Sequence, residues 1–264
     1  MYAFNYQKAK SVADAAAALS KGGDAKLLAG GQSLIAALKL RLAAPSDLID
    51  LGGIKELAGI TVDAAGITIG AMTRHAEVAA SEHVRAKIPA LARLAGGIGD
   101  RMVRNMGTIG GSLAHNDPVA DYPAAVLGLN ATVNTNKRKI AADDFFKGMF
   151  ETALQTGEII VSVSFPVPKR AAYVKFRNQA SGYAIVGVMA AETAGGVRVA
   201  VTGAASSVFR VAAMEKALAA NWSPDAVAGI AVPAGELNSD MHASPEYRAH
   251  LITVMARRAV EAAQ

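Results

Sequence analysis

Two glycine pairs, far apart in the chain, set the tightest limits on how it can fold. The first lies in Leu27-Leu28-Ala29-Gly30-Gly31-Gln32-Ser33-Leu34, an apolar run that meets the glycines and continues into a helix-like stretch from Ile35 to Leu42. The second lies in Gly107-Thr108-Ile109-Gly110-Gly111-Ser112, which leads into His115-Asn116-Asp117-Pro118 and Asp121. Glycine leaves the backbone N–H unshielded and allows φ > 0, so a glycine pair between a strand and a helix can form a nest for an anionic oxygen. One such turn suits one phosphate. Two of them, with the hydroxyls of Ser33, Thr108 and Ser112, suit a diphosphate held from both sides. Neither fits G-x-G-x-x-G or G-x-x-x-x-G-K-[ST], because the glycines are adjacent and no lysine follows at the required offset. Taken alone, each also reads as plain loop chemistry.

Around these turns the chain reads as alternating strands and helices. Phe4 to Tyr6 is a short strand, and Ser11 with Asp14 opens a helix that ends at Gly22-Gly23. Lys26 to Ala29 is a strand, Ser33 caps a helix carrying Leu34, Leu38 and Leu42, Pro45 stops it, and Asp47 to Leu51 is the next strand. Gly59 to Val62 and Ile67 to Gly70 form a hairpin, and Pro89 to Ile98 a helix. A loop then carries Asp100, Arg101 and Arg104, whose guanidinium groups can neutralise a phosphate or pair with loop carboxylates. His75 reads as a structural residue, since nothing near it in sequence supplies an acid partner.

Asp117 and Asp121 are four residues apart, the spacing of a carboxylate pair on one helix face, but Pro118 and Pro123 argue against a regular helix there and leave Asp121 as a helix cap. The apolar helix Ala124 to Leu129, a hairpin of Ala131–Asn134 with Lys139–Ala141, an aromatic loop over Asp143 to Phe150 and a strand from Glu158 to Pro166 follow. Pro166, Pro168, Lys169 and Arg170 mark a linker. Beyond it come the strand Tyr173 to Arg177, a hairpin at Gly195-Gly196, and helices over Val211–Ala219, Pro224–Ala231 and Pro245–Ala262, an α+β pattern of three strands and helices.

Composition narrows the function. At 52% hydrophobic and 19% charged residues over 264 positions, the chain is an ordinary globular protein with room for two or three small domains. A formal charge of +5 would suit a nucleic-acid binder, yet basic residues cluster only at Lys137-Arg138-Lys139 and Lys169-Arg170, and 5% aromatics leave little for base stacking. Cysteine is absent, which excludes disulfides and thiolate-held zinc or iron–sulfur clusters in this chain. The N-terminus has no signal-peptide pattern, and no apolar run reaches the roughly 18 residues of a membrane span, so a cytoplasmic location is expected.

The stretch Ala29-Gly-Gly-Gln-Ser-Leu-Ile, followed by Leu38-Lys-Leu-Arg-Leu-Ala, and the stretch Val103-Arg-Asn-Met-Gly-Thr-Ile-Gly-Gly-Ser-Leu-Ala-His-Asn-Asp-Pro-Val-Ala-Asp-Tyr-Pro resemble the FAD-binding medium subunits of the molybdenum hydroxylases. That family includes the carbon monoxide dehydrogenase medium subunit and the flavin domain of xanthine dehydrogenase, and the likeness runs along nearly the whole chain. It implies a two-subdomain, PCMH-type (vanillyl-alcohol-oxidase-like) FAD-binding domain over residues 1–57 and 58–168, then a small α+β domain over 171–264. It implies FAD cradled by Leu27, Leu28, Ala29, Gly30, Gly31, Gln32, Ser33 and Leu34 together with Thr108, Ile109, Gly110, Gly111 and Ser112. Ile98 and Ile160 would supply apolar contacts, and Asp121 would accept hydrogen bonds from ribityl or ribose hydroxyls. Lys175, which alone reads as a solvated strand residue, would place a cation at the flavin, and Tyr183 would cover one ring face.

By the same resemblance this chain hydroxylates nothing itself. It takes electrons from 2Fe-2S clusters on a small partner subunit and passes them to a terminal acceptor, while the molybdenum cofactor sits on a large partner subunit, in a dimer of heterotrimers. Where many relatives carry an aspartate before the tyrosine, this chain has Gly182. Its lack of a cysteine-rich loop argues against the branch acting on aromatic acyl-CoA esters. Two other readings stay open: a self-contained FAD-dependent oxidase, and a non-catalytic nucleotide-binding protein in which the glycine turns are structural.

Overall fold

The computed structural model describes residues 1–21 and 23–263. Three main sheets, each with its own packed helices, follow one another along the chain, and a two-stranded hairpin accompanies the second. The first is parallel, in the order β1 (Asn5–Lys8), β3 (Asp47–Asp50), β2 (Ala25–Leu28). Parallel neighbours need crossover connections, and α1 (Val12–Leu19) and α2 (Leu34–Lys39) supply them. Ser11 caps α1 by accepting from the Asp14 amide at 3.1 Å, while the Asp14 carboxylate accepts from the Lys10 amide, one residue earlier than a capping box requires. The helix stops at Leu19; of the expected glycine stop, Gly22 lies outside the described residues.

Helix α2 is shorter than its leucines suggest. Arg41 takes φ 60°, its amide bonds to the Leu38 carbonyl and the Leu42 amide reaches back to Ala37. These two bonds are those of a Schellman stop, so the chain has left the helix well before Pro45. Leu38 is buried, but Leu40 and Leu42 are 70% and 78% exposed, so the leucine run is not one apolar stripe.

The middle sheet is antiparallel, in the order β4 (Ile60–Val62), β5 (Ile67–Gly70), β10 (Ile160–Phe165), β6 (Thr132–Thr135), β7 (Lys139–Ala141). Helices α3 (His75–Ala80), α4 (Glu82–Lys87), α5 (Pro89–Gly96), α6 (Arg101–Met106), α7 (Ile109–His115) and α8 (Tyr122–Gly128) belong to this unit. Its core joins Ile67, Ile69, Leu91, Leu113, Val163 and Phe165. The segment over Arg101 to Met106, expected as a loop, is helical because the Asp100 carboxylate accepts from the Val103 amide at 2.8 Å. The segment over Asp143 to Phe150 is likewise structured, as α9 (Ala142–Phe145) and a small hairpin of β8 (Phe146–Gly148) and β9 (Glu151–Thr152). Phe145 is buried there, whereas Phe150 is 53% exposed at φ 57°.

The last sheet has three long antiparallel strands, β11 (Arg170–Arg177), β12 (Ala184–Thr193) and β13 (Gly196–Thr202), and the two-residue β14 (Phe209–Arg210) adds a fourth at the edge. Helices α10 (Ala212–Ala220) and α11 (Pro245–Ala262) cover one face, burying Met214, Leu251, Ile252 and Met255 against Val186, Val188, Val199 and Val201. Between them Pro224–Val227 forms only a single 3₁₀ turn, shorter than the helix expected to reach Ala231. The other face of this sheet packs on α8, and there Met189 and Ala200 join the middle core. Among the described residues, no helix is long and apolar enough to cross a membrane.

Candidate functional site

The first glycine bend leaves β2 with Gly31 at φ 71°, a conformation that glycine adopts at little cost. Among the described residues, the amides of Gly30, Gly31, Gln32, Ser33 and Leu34 donate to no atom of the chain. Ser33 stands at the N-cap of α2, yet its hydroxyl makes no capping bond, so it too is free to serve another group.

Folding brings the second bend against the first. A Cβ on Gly30 would stand 2.1 Å from the Met106 carbonyl oxygen and 2.8 Å from Gly107 Cα, and one on Gly111 would lie 3.6 Å from Ala29 Cβ. The two bends are not equivalent, however. The Ile109 and Gly110 amides bond to the Thr73 and Ala71 carbonyls, the Gly111 amide donates to Thr108 Oγ1 at 3.2 Å, and the Ser112 amide bonds to the Thr108 carbonyl. The expectation of two open nests is therefore corrected: the second bend is the first turn of α7, and sheet and helix take up the N–H groups of Ile109, Gly110, Gly111 and Ser112. It presents the Ser112 hydroxyl, the Thr108 hydroxyl proton and the bare Cα of Gly111. Gly110 faces inward, where a Cβ would come within 2.6 Å of Ala71 Cβ, so this glycine serves packing.

A second polar centre lies at the start of α8. Asp121 occupies the N-cap position without a side-chain capping bond. Its carboxylate instead accepts from the Tyr173 hydroxyl and, at 3.0 Å, from Lys175 Nζ, which also donates to the Gly97 carbonyl at 3.0 Å. Lys175 is thus held rather than solvated, its side chain 11% exposed beside the 4% of Asp121. Burial pushes the Asp121 carboxyl above the usual carboxylate range, against the pull of Lys175 and of the Tyr173 hydroxyl.

The loop through Gly97, Ile98 and Gly99 links the two centres. Lys175 holds its first carbonyl, and Arg104 holds the next two, donating to Ile98 and Gly99 at 2.9 Å each. Arg104 is therefore a loop clamp, committed to carbonyls. Ile98 is partly buried against the middle core. Ile160 is 5% exposed in β10 and belongs to the middle core.

Tyr183 ends the connection between β11 and β12 and is 50% exposed. Burial raises its phenol pKa, as do the nearby carboxylates of Asp117 and Asp121. Gly182 before it has φ 75° and donates to the Asn178 carbonyl at 2.9 Å, so the turn itself uses the left-handed conformation. Sequence reading missed Tyr173 and Arg177. The signal was available: Tyr173, Lys175 and Arg177 alternate along β11 and share one face. His75, expected to be structural, is buried with its Nδ1 unpartnered; burial and the neighbouring Arg104 lower its pKa to about 4, so its ring is neutral. Among the described residues, no group of three or more His, Asp or Glu side chains could hold a metal ion.

These features fit a diphosphate-bearing cofactor. Five consecutive unused amides are the donor set an anionic oxygen requires, and the bare Cα atoms of Gly30 and Gly111 let the two bends close on each other. An α+β chain with such bends and a buried carboxylate held by Tyr173 and Lys175 has the parts of a cofactor-carrying protein. Residues 2–168 match the family described as the FAD binding domain in molybdopterin dehydrogenase, and residues 171–263 match the CO dehydrogenase flavoprotein C-terminal domain. The chain belongs to the family of FAD-binding medium subunits of the molybdenum hydroxylases.

Among its relatives, the carbon monoxide dehydrogenase medium chain of Hydrogenophaga pseudoflava is 35% identical, the match covering 98% of this chain and 96% of that one. The glyceraldehyde dehydrogenase medium chain of Sulfolobus acidocaldarius is 33% identical over 97% and 96% of the two chains. The nicotine 6-hydroxylase medium subunit of Paenarthrobacter nicotinovorans is 35% identical over 98% and 96%. In a crystal structure of the Cu,Mo-CO dehydrogenase, a chain 34% identical superposes with a TM-score of 0.88, covering 99% of this chain and 98% of that one. FAD is the cofactor of this domain, and the chain is an oxidoreductase subunit.

Proposed function

We propose that this chain is the FAD-carrying electron-transfer subunit of a multi-subunit molybdenum hydroxylase of the cytoplasm. It takes electrons from 2Fe-2S clusters on a small partner subunit and delivers them to a terminal acceptor. A large partner subunit holds the molybdenum cofactor and oxidises the substrate, and the complex is a dimer of heterotrimers. Support comes from relatives at about one-third identity whose names carry carbon monoxide, glyceraldehyde and nicotine: medium chains this alike with such different names favour a substrate site on another subunit.

When bound, FAD supplies redox chemistry in steps of one or two electrons. The residues of this chain bind and orient it. Within Leu27 to Leu34 the open amides of Gly30 to Leu34 meet the diphosphate, and Thr108 to Ser112 close over it with hydroxyls and a bare Cα. Asp121 accepts from ribityl or ribose hydroxyls. Ile98 lines an apolar slot supported from beneath by Ile160, and Tyr183 covers one ring face. Lys175 places a fixed cation where reduction adds negative charge. The division into 1–57, 58–168 and 171–264 follows from the same reading and is supported by the separate sheet within each segment.

The observation that carries this proposal is the run of unused amides from Gly30 to Leu34, set against Gly107 and Gly111. Purification from native cells tests it. The protein should be yellow, release FAD on heating, and bring with it a subunit containing iron–sulfur clusters that reduces the flavin. A colourless chain that takes up no FAD would refute the proposal. Reduction by a small substrate without partner subunits would replace it with the self-contained oxidase.

A further inference from the structure

We infer that Tyr173 is a positioning residue for the cofactor: its hydroxyl, together with Lys175, holds the Asp121 carboxylate in the orientation in which it accepts from the hydroxyls of FAD. The inference rests on the reading of Asp121 as an FAD contact. It adds that the C-terminal sheet sets the cofactor affinity of a residue on the middle unit.

The geometry is specific. Tyr173 and Lys175 lie on one face of β11 and take one oxygen each of Asp121, Oδ1 and Oδ2. With both oxygens anchored, the carboxylate cannot turn about its last bond, while each oxygen keeps a lone pair for a ligand hydroxyl. The adjacent strand makes room for this arrangement. Gly187 pairs with Lys175 across the sheet, and a Cβ there would stand 2.2 Å from the Tyr173 hydroxyl oxygen, so only glycine admits the phenol at its present depth. The segment before Asp121 is held by the same sheet: Thr202 Oγ1 donates to the Ala120 carbonyl at 2.7 Å, and the Gly203 amide to the Pro118 carbonyl at 2.8 Å. The charged and titratable groups around Asp121 are Lys175, Tyr173 and Arg177 from β11, Tyr122 beside it on α8, and Tyr183, which lies near both Asp121 and Asp117. Burial drives the carboxyl toward its neutral form, so each donor removed from it counts.

The test uses the full chain stripped of cofactor, with FAD binding followed by flavin fluorescence. Tyr173→Phe should weaken FAD binding by about tenfold, the effect of one charge-assisted hydrogen bond, with the far-ultraviolet circular dichroism unchanged. Gly187→Ala, which displaces the hydroxyl without altering the tyrosine, should weaken it similarly. The affinity of both variants should fall at higher pH than that of the parent, because Asp121 protonates more readily. In an Asp121→Asn background, Tyr173→Phe should cause no further loss. Additive losses, or a pH profile that superposes on the parent's with only thermal stability reduced, would make Tyr173 a structural brace and overturn the inference. If Asp121→Asn alone leaves FAD binding intact, the cofactor role of Asp121 fails, and the inference with it. If the parent chain binds no FAD, the proposed function falls as well.

Discussion

Gly30 lies so close to Met106 that a single methyl group on it would stand 2.1 Å from the Met106 carbonyl oxygen. The neighbouring glycine answers a different need, since Gly31 has φ 71° while its added Cβ would meet mainly the flexible Ile35 side chain. One position is glycine for room and the next for backbone conformation.

Gly30→Ala should therefore separate the two bends and leave the protein largely free of flavin, at a stability cost of about 1–3 kcal/mol for overpacking against backbone. Gly31→Ala should cost about 1–2 kcal/mol for a left-handed alanine and retain more flavin. The ratio of flavin to protein absorbance, with thermal unfolding, checks both. Equal flavin occupancy in the two variants would contradict this division of roles.

Lys175→Met removes the cation from a buried carboxylate. We expect a loss of about 3 kcal/mol in urea unfolding, the cost of breaking a buried pair, and a lower flavin reduction potential by spectroelectrochemistry. An unchanged potential would remove Lys175 from the electrostatics of the flavin.

Acid should unfold the protein in two overlapping windows. His75 binds its proton at about 4 in the folded state against 6.5 ordinarily, so stability declines as pH falls from 6.5 towards 4. Glu158, 3% exposed, is held by Arg138, by the Gln155 amide and by Thr135, which lower its carboxyl from 4.5 to about 2, so its contribution is whole above 4.5 and lost as pH falls towards 2. Urea unfolding at a series of pH values should show His75→Gln flattening the upper window and Glu158→Gln the lower. A variant that retains its own window would sink that assignment.

Arg198, 6% exposed on β13, donates to the Leu127 carbonyl, to Asn130 Oδ1 and to the Asp143 carboxylate, so it ties the last sheet to the C-terminal end of α8. Arg198→Met should destabilise the chain by about 2 kcal/mol, because the hydrogen bonds to Leu127, Asn130 and Asp143 are lost together at a buried position. Guanidinium unfolding curves measure this, and a change below about 0.5 kcal/mol, the range of ordinary surface substitutions, would show that other contacts hold the sheet there.

Much of the fold was legible because local rules were obeyed. Ser11 caps its helix, the hairpin at Asp63 to Gly66 forms, and the glycine pairs stand at bends. The misreadings have separate causes, local for two of them and long-range for the third. Leu42 extended the apparent stripe of α2, but the Schellman stop at Arg41 left it exposed. Arg104 stood beside a phosphate-like motif in sequence, yet in space it faces two carbonyls. Asp121 looked like a cap because it precedes a helix; its partners lie 52 and 54 residues away.

By itself the sequence carried the two stretches that resemble the family and located the bends and most of the strands, since glycine turns and apolar alternation act over a few residues; α6, α7 and α9 escaped it. Only the tertiary structure decided that the first bend keeps its amides open while Thr73 and Ala71 occupy those of the second, and that Tyr173 and Lys175 hold Asp121. Hydrogen-bond partners are assigned by proximity in space, and a buried donor takes whichever acceptor the packing brings to it.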